Sequence, residues 1–526
     1  MIEIYGLQTF LEAQRNAAEL KKNLQVTGCS ASFIQLATLA MCEKQKIIIV
    51  LPDEKELGRW SQLYSHNPDV NVFLLPSLPH WGYDRYINAE ISKIQRLGAL
   101  AQLHQKTSAP TIILTTLSGL SQTTMSVDFF KSNSISIKVG DELNMEELVR
   151  RCENLGYHLT EEVSEEASYA IRGGIFDIFS PNDPEPLRIE FLGDTINSLR
   201  RFHPIQQKSL LSLESALITY ATESPIVDVD RKTFAQKIQD YFIDKDVNVA
   251  DKDGMIHTLL SGHYFRERDI FAPLFREKIS TGWNYLIDDD LLIYPFGITA
   301  CEKSYTEFMA TNEQYYHSDI SQKRPTLPPN MHFDRAQPKA RFIEFGSPFF
   351  NPENLSARYN SRSTIQNAPV MEGVDSTGLF DKWMDVIRPL FKEKKIKIVM
   401  LVTTDDQVTR LQSLLNSHDI ENYFQKNIFQ KIFQNEINSD GINIGIGELH
   451  SQVWLEETEA LVIPDAALFG HTKPKKQRAS RKLQNYLKSF RDLKVADHIV
   501  HLHHGIGKYQ GMVNMTVDGF QADFLL

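Results

Sequence analysis

Residues 167–209 read ASYAIRGGIFDIFSPNDPEPLRIEFLGDTINSLRRFHPIQQKS, and their patterning sets the fold around them. In Leu187-Arg188-Ile189-Glu190-Phe191 the apolar residues point one way and the charged ones the other, which is the period of a half-buried strand. Gly193-Asp194 supplies a two-residue turn, and Thr195 to Phe202 reads as the returning strand. Upstream, Gly173-Gly174 leads into Ile175 to Phe179, and Pro181-Asn182-Asp183-Pro184 closes that segment. The pattern predicts a small antiparallel sheet with one apolar face, whose other face carries Arg172, Arg188 and Glu190 on strands rather than loops. That face is either simply solvated, as in many antiparallel sheets, or a docking surface. Periodicity leaves both readings open.

Working outward, 526 residues are too many for one core, and three to five domains are expected. With 42% hydrophobic and 23% charged residues, the composition is that of an ordinary globular protein. No apolar run reaches the roughly 20 residues of a membrane helix, and Met1-Ile2-Glu3-Ile4-Tyr5 has no basic leader, so a cytoplasmic location is expected. Four scattered cysteines without a Cys-x-x-Cys pair fit a reducing compartment and no cysteine-based zinc site. A net charge of −11 excludes a protein coated for nucleic acid, so any DNA contact must come from a local patch.

Residues from about 20 to 120 read as an α/β unit: a strand at Leu24 to Thr27, a helix running to Met41, and a buried strand at Ile47 to Leu51. A strand, a glycine and a helix in that order is where a phosphate loop sits, and such a loop needs Gly-x-x-x-x-Gly-Lys-Ser/Thr. Here Gln25 and Ser30 stand at the glycine positions, Ala31 replaces the lysine, and Ser32 keeps the hydroxyl, with Gly28 inside the loop. Without the ammonium and the close backbone approach, nucleotide affinity should collapse. The expectation is a motor-like domain with a dead nucleotide loop and no cofactor in this stretch.

Pro110 to Thr116 reads as another buried strand, Met145 to Leu155 as a helix, and residues 214–360 as helices and strands that return to the first α/β unit. Prolines crowd residues 319–370, and from about Asp381 a second α/β pattern begins, expected to be a spacer domain. Gly445-Ile446-Gly447 starts a Gly-x-Gly, but His450 occupies the third glycine position, so no dinucleotide site is expected. Asp465, after a strand, is assigned a turn or helix-capping role. Lys475, Lys476 and Arg478 lie in a basic tract from Lys473 to Lys494 that reads either as a solvated helical linker or as a DNA contact. The four histidines His498, His501, His503 and His504 alternate in direction, and no nearby cysteine or carboxylate completes a ligand geometry, so no metal site is expected.

Two motifs carry a family resemblance. The run RGGIFDIF…PLRIEFLGDTINSLRRF resembles the module shared by component B of the bacterial excinuclease (excinuclease B) and the transcription-repair coupling factors. The segment from Val500 to Gly511, VHLHHGIGKYQG, resembles the start of the coupling factors' RNA-polymerase-interacting domain. Leu78 to Ile87 is similar to the coupling factors' W-x-x-x-P-Y-D region. Trp81, Tyr83 and Tyr86 there are assigned to packing, and no room is left for the DNA-threading hairpin of excinuclease B.

The resemblance implies the N-terminal half of a coupling factor, a recruitment half without chemistry of its own. Component A of the same repair enzyme, excinuclease A, would bind at Arg172, Arg188, Glu190 and Leu192. The RNA polymerase β subunit would bind at His504, Gly505, Gly507, Tyr509, Val513, Met515 and Val517. ATP, magnesium and most contact with double-stranded DNA would belong to a translocase that these residues do not include, and no membrane partner is implied.

The expected architecture is α/β multidomain. It comprises a degenerate helicase-like α/β domain (1–123 and 214–360) with an inserted antiparallel β module (124–213), a linker (361–374), a second α/β domain (375–470), a basic linker (471–492) and the start of a small β-barrel (493–526). Two rival readings remain: an ATP-dependent helicase of the excinuclease B type, and a DNA-binding protein using the basic tract.

Overall fold

The computed structural model describes residues 7–19, 23–26, 29–43, 45–78, 83, 90–104, 109–181, 183, 185–223, 231–261, 271–276, 279–287, 290–335, 340–345, 379–394, 396–469, 498–501, 505–517 and 520–525. It has the mixed α/β character that the sequence predicts. Among the described residues, no helix is long and apolar enough to cross a membrane. Cys42, Cys152 and Cys301 are buried thiols.

The first sheet has six parallel strands in the order Leu24–Val26, Arg341–Phe345, Leu291–Tyr294, Ile47–Leu51, Thr111–Thr116 and Asn71–Leu75. The strands Leu291–Tyr294, Ile47–Leu51 and Thr111–Thr116 are buried at every residue, as in a parallel sheet covered by helices on both faces. Two of the strands come from beyond residue 290, so the chain leaves this sheet after Thr116 and returns to finish it. Tyr83 is buried, its hydroxyl donating to the Leu327 carbonyl at 2.6 Å, which fits the packing role. Trp81 and Tyr86 lie outside the described residues.

Between those passes lies the inserted module. Its sheet also has six strands: Ser209–Leu213, Thr195–Phe202, Leu187–Leu192, Ile175–Ile178, Ser168–Arg172 and His158–Leu159. All neighbours are antiparallel except the last pair, which is parallel. The sequence pattern defines its centre but not the flanking strands, which are short or lack alternation. Gly173 and Gly193, at φ +60 and +64, open the two-residue turns, a backbone region that costs glycine little. Tyr169, Phe176, Ile178, Leu187, Ile189, Ile196 and Leu199 form the apolar face, packed with Leu148 and Cys152 of the helix Met145–Asn154.

The third sheet takes the order Asn422–Phe424, Ile442–Ile446, Lys397–Val402, Ala460–Pro464 and Val453–Leu455, parallel apart from the last strand. Gly445 is required by packing, since a Cβ there would overlap the Ile428 side chain. Asp465 opens the helix Asp465–Phe469 and accepts a hydrogen bond from Gln407 Nε2 at 3.0 Å.

This domain is more than a spacer. Its Val399, Leu401, Ile428, Phe429, Leu449 and Val453 share one apolar core with Ile34, Leu36, Leu39 and Met41 of the first domain. The helix Ala31–Cys42 is buried at every residue except Phe33, with the first sheet on one side and the second domain on the other.

Short antiparallel pairs join Ile135–Lys138 to Ser215–Ile218 and Thr123–Thr124 to Ser280–Thr281, and the described strands beyond residue 497 form two hairpins, His498–His501 with Gly505–Lys508 and Met512–Val517 with Phe520–Leu525. These hairpins belong to a separate compact unit.

Candidate functional site

Directly paired residues on neighbouring strands point to the same side of a sheet. One row on the polar face of the inserted module therefore runs Ala170, Asp177, Arg188, Arg200, Ser212. The next runs Arg172, Ile175, Glu190, Ser198. Leu192, two residues beyond Glu190, is on the same side and is 75% exposed.

The predicted residues do share a face, but they are not equivalent. Arg188 donates from Nε and Nη2 to the two carboxylate oxygens of Asp177, each at 2.8 Å. It also reaches the carbonyl and side-chain oxygens of Gln207, and its guanidinium lies 4.4 Å over the Phe202 ring. Its side chain keeps only 16% exposure, and that of Asp177 keeps 1%. The Asp177 hydrogen bonds raise the Arg188 pKa above its already high ordinary value. Arg188 is thus held inside its own module, where the sequence pattern suggests a free side chain.

The reason is a small apolar cushion of Val163, Ala170, Phe179 and Phe202 on the polar face. A guanidinium stem lies well on such a surface while its nitrogens find oxygen partners. Arg172 shares Asp177 from the other side, with Nη2 at 3.1 Å from Oδ2, but its side chain is 47% exposed. Glu190 accepts from Ser198 at 2.7 Å and from Arg200 at 3.3 Å and is half-buried.

Sequence reasoning missed the roles of Asp177 and Gln207. A signal for the first was present: Asp177 is the lone acid in Ile175 to Phe179, and alternation puts it on the side of the arginines. Gln207, at φ +57, lies in a loop where no periodicity points.

Of the residues assigned to a degenerate nucleotide loop, Ser32 lies where the first α/β domain meets the second. Gln25 is exposed on its strand, Gly28 lies outside the described residues, and Ala31 is buried. Ser30 caps the helix, its hydroxyl accepting from the Phe33 amide at 3.2 Å. Ser32 donates its hydroxyl to the Ser451 carbonyl and accepts from the Ser451 amide, both at 2.9 Å. Gln35 adds a bond to the Glu448 carbonyl at 2.8 Å and one from the His450 amide at 3.3 Å. The Ser30 and Ser32 hydroxyls are thereby engaged within the protein.

Of the residues assigned to RNA polymerase, Gly505 and Gly507 are on one hairpin strand and Val513, Met515 and Val517 on another, with Met515 opposite Ala522. Tyr509 is buried. His504, Lys475, Lys476 and Arg478 lie outside the described residues.

Fold and face together define an α/β protein with an inserted antiparallel sheet module, and a family model described as the UvrB interaction domain matches residues 135–223. A second, the CarD-like/TRCF RID domain, matches residues 493–526. The chain is similar to the transcription-repair-coupling factor of Haemophilus influenzae, 24% identical over 506 residues, covering 94% of this chain and 42% of that protein. It is also similar to those of Bacillus subtilis (25% over 483 residues, 87% and 39% covered) and Myxococcus xanthus (24% over 481 residues, 86% and 39% covered). The chain spans about two-fifths of the length of the curated relatives it matches. The two domains and these relatives fit the N-terminal part of a transcription-repair coupling factor, as the sequence resemblance implies.

Proposed function

We propose that this chain is a recruitment element of transcription-coupled nucleotide-excision repair, joining stalled RNA polymerase to excinuclease A. The observation that carries the reading is that a UvrB interaction domain and a CarD-like/TRCF RID domain occur in one chain. The first of these has a polar sheet face with exposed Arg172 and Leu192. Excinuclease A binds that face. The polymerase β subunit pairs with the hairpin carrying Val513, Met515 and Val517, by strand addition to a free edge.

The first α/β domain is a helicase-like fold turned to scaffolding, with its former phosphate loop bonded to the second α/β domain. The final hairpins begin a small barrel. ATP-driven movement on duplex DNA belongs to the remainder of a whole coupling factor, and the setting is the bacterial cytoplasm.

The test is co-purification of the 526-residue chain with excinuclease A and, separately, with the polymerase β subunit. Both complexes are expected without nucleotide. Failure of the wild-type chain to retain excinuclease A would end this reading.

A further inference from the structure

The polar face of the inserted module holds three arginines, and they differ in what they can offer a partner. Arg200 is paired with Glu190. Arg188 has its nitrogens engaged by Asp177 and Gln207 and its flat side on Phe202. Arg172 gives one nitrogen to Asp177, and no other hydrogen bond of its guanidinium is found among the described residues. Its strand ends at the Gly173-Gly174 turn, and the Phe191 amide donates to the Gly174 carbonyl at 2.7 Å. Arg172 and Leu192 therefore flank the same end of the same face, one an exposed cation and the other an exposed apolar side chain.

We infer that Asp177 is a positioning residue, a buried anion fixing the Arg188 and Arg172 guanidinium groups so that Arg172, beside Leu192, presents its outer edge to a partner carboxylate flanked by an apolar side chain. Two cations on one carboxylate leave a net positive charge at the surface, which selects an acidic group. Arg188 is the pillar of the arrangement rather than its contact. A two-pronged pairing fixes a guanidinium in plane as well as in place, and a shared carboxylate carries that order to the second arginine. This rests on the reading that the face binds excinuclease A.

The experiment is calorimetric titration of the full chain with purified excinuclease A, with each variant's thermal midpoint measured in parallel. Three variants are compared with wild type: Arg172→Ala, the paired Asp177→Asn/Arg188→Met, and the three changes together. The paired change removes both buried charges at once and leaves neither unpartnered. Arg172→Ala is expected to weaken binding by at least about tenfold with an unchanged midpoint. The paired variant should weaken it by a similar factor, and the triple variant should bind no worse than Arg172→Ala. Such non-additivity is the mark of residues acting through one another, and a merely structural defect would not produce it.

A paired variant that binds like wild type overturns the inference. So does a triple variant about tenfold weaker than Arg172→Ala, which would make Arg188 a direct contact. Should the paired variant unfold, Arg188→Lys serves instead, because it keeps the charge and loses the two-pronged geometry. It should lower affinity in the wild-type background but not beside Arg172→Ala, and a wild-type affinity left unchanged by Arg188→Lys overturns the inference. Wild-type binding that no variant alters sinks the inference while the docking reading stands. Absence of wild-type binding sinks the docking reading first.

Discussion

Ser32 and Ser451, 419 residues apart in sequence, exchange two hydrogen bonds: the Ser32 hydroxyl donates to the Ser451 carbonyl and accepts from the Ser451 amide, both at 2.9 Å. Ser32 stands where a phosphate loop keeps its metal-binding hydroxyl. The second α/β domain has taken over that hydroxyl, and the apolar helix behind it is sealed between the two domains. A helix apolar all round is stable only when covered all round, so the seam is a condition of folding for the first domain.

The seam should therefore be sensitive to a polar deletion. Gln35→Ala removes a bond to the Glu448 carbonyl and one from the His450 amide at a site 1% exposed. Leaving such groups unsatisfied costs about 1–3 kcal/mol. Urea unfolding should show the midpoint falling accordingly, and a midpoint equal to wild type would mean the seam is open in solution.

Nucleotide should find no site at the degenerate loop. Titration with a fluorescent ATP analogue is expected to give no saturable signal. Restoring loop chemistry with Ser30→Gly and Ala31→Lys should not create one, because Ser32 stays bonded to Ser451. Saturable binding by the wild-type chain, lost on changing Ser32, would contradict this.

The two arginines that share Asp177 should separate by stability alone. Arg188→Ala strips the two-pronged partner from a carboxylate that is 1% exposed, at a cost of about 3 kcal/mol, the low end for a broken buried pair because Arg172 keeps one bond. Arg172→Ala deletes a half-exposed pair and should cost under about 1 kcal/mol. Differential scanning calorimetry distinguishes them, and equal losses would place both arginines in the same environment.

Acid should loosen the domain seam. Burial, with Arg59 nearby, lowers the His450 pKa from 6.5 to about 4, against the opposing pull of Glu448. The unfolded chain then binds the proton more readily than the folded one, so stability is full above about pH 6.5 and is lost as pH falls towards 4. The loss is at most about 3 kcal/mol. His450→Gln should flatten this part of the stability profile, and a slope unchanged by the substitution would assign it to other groups.

Gly445→Ala probes the packing inside the second domain. Its Cβ would overlap Ile428, on the helix Ile428–Phe433 that also closes the seam, and overpacking of this kind costs about 1–3 kcal/mol. Chemical denaturation measures it, and a neutral result would show that the helix shifts freely.

Much of the molecule was legible in residue order. The Leu187 to Glu190 alternation gave the strand and its two faces, Gly193-Asp194 gave its turn, and the run Ile47 to Leu51 gave a strand covered on both sides. Arg188 was placed correctly on a face, yet its freedom was misjudged. Alternation reports which way a side chain leaves the backbone and nothing about what covers it. The cover here includes Val163 and Gln207, which come from loops without a period.

The chain's own order of residues thus determined the strands, the helices and the faces, since these depend on neighbours a few positions apart. Only the folded chain decided that Asp177 holds two arginines and that Ser32 meets Ser451, because such contacts join residues that no local pattern connects. Side-chain chemistry near in sequence fixes local conformation; burial and pairing are set by packing over long separations, and in this protein they decide which arginine remains exposed.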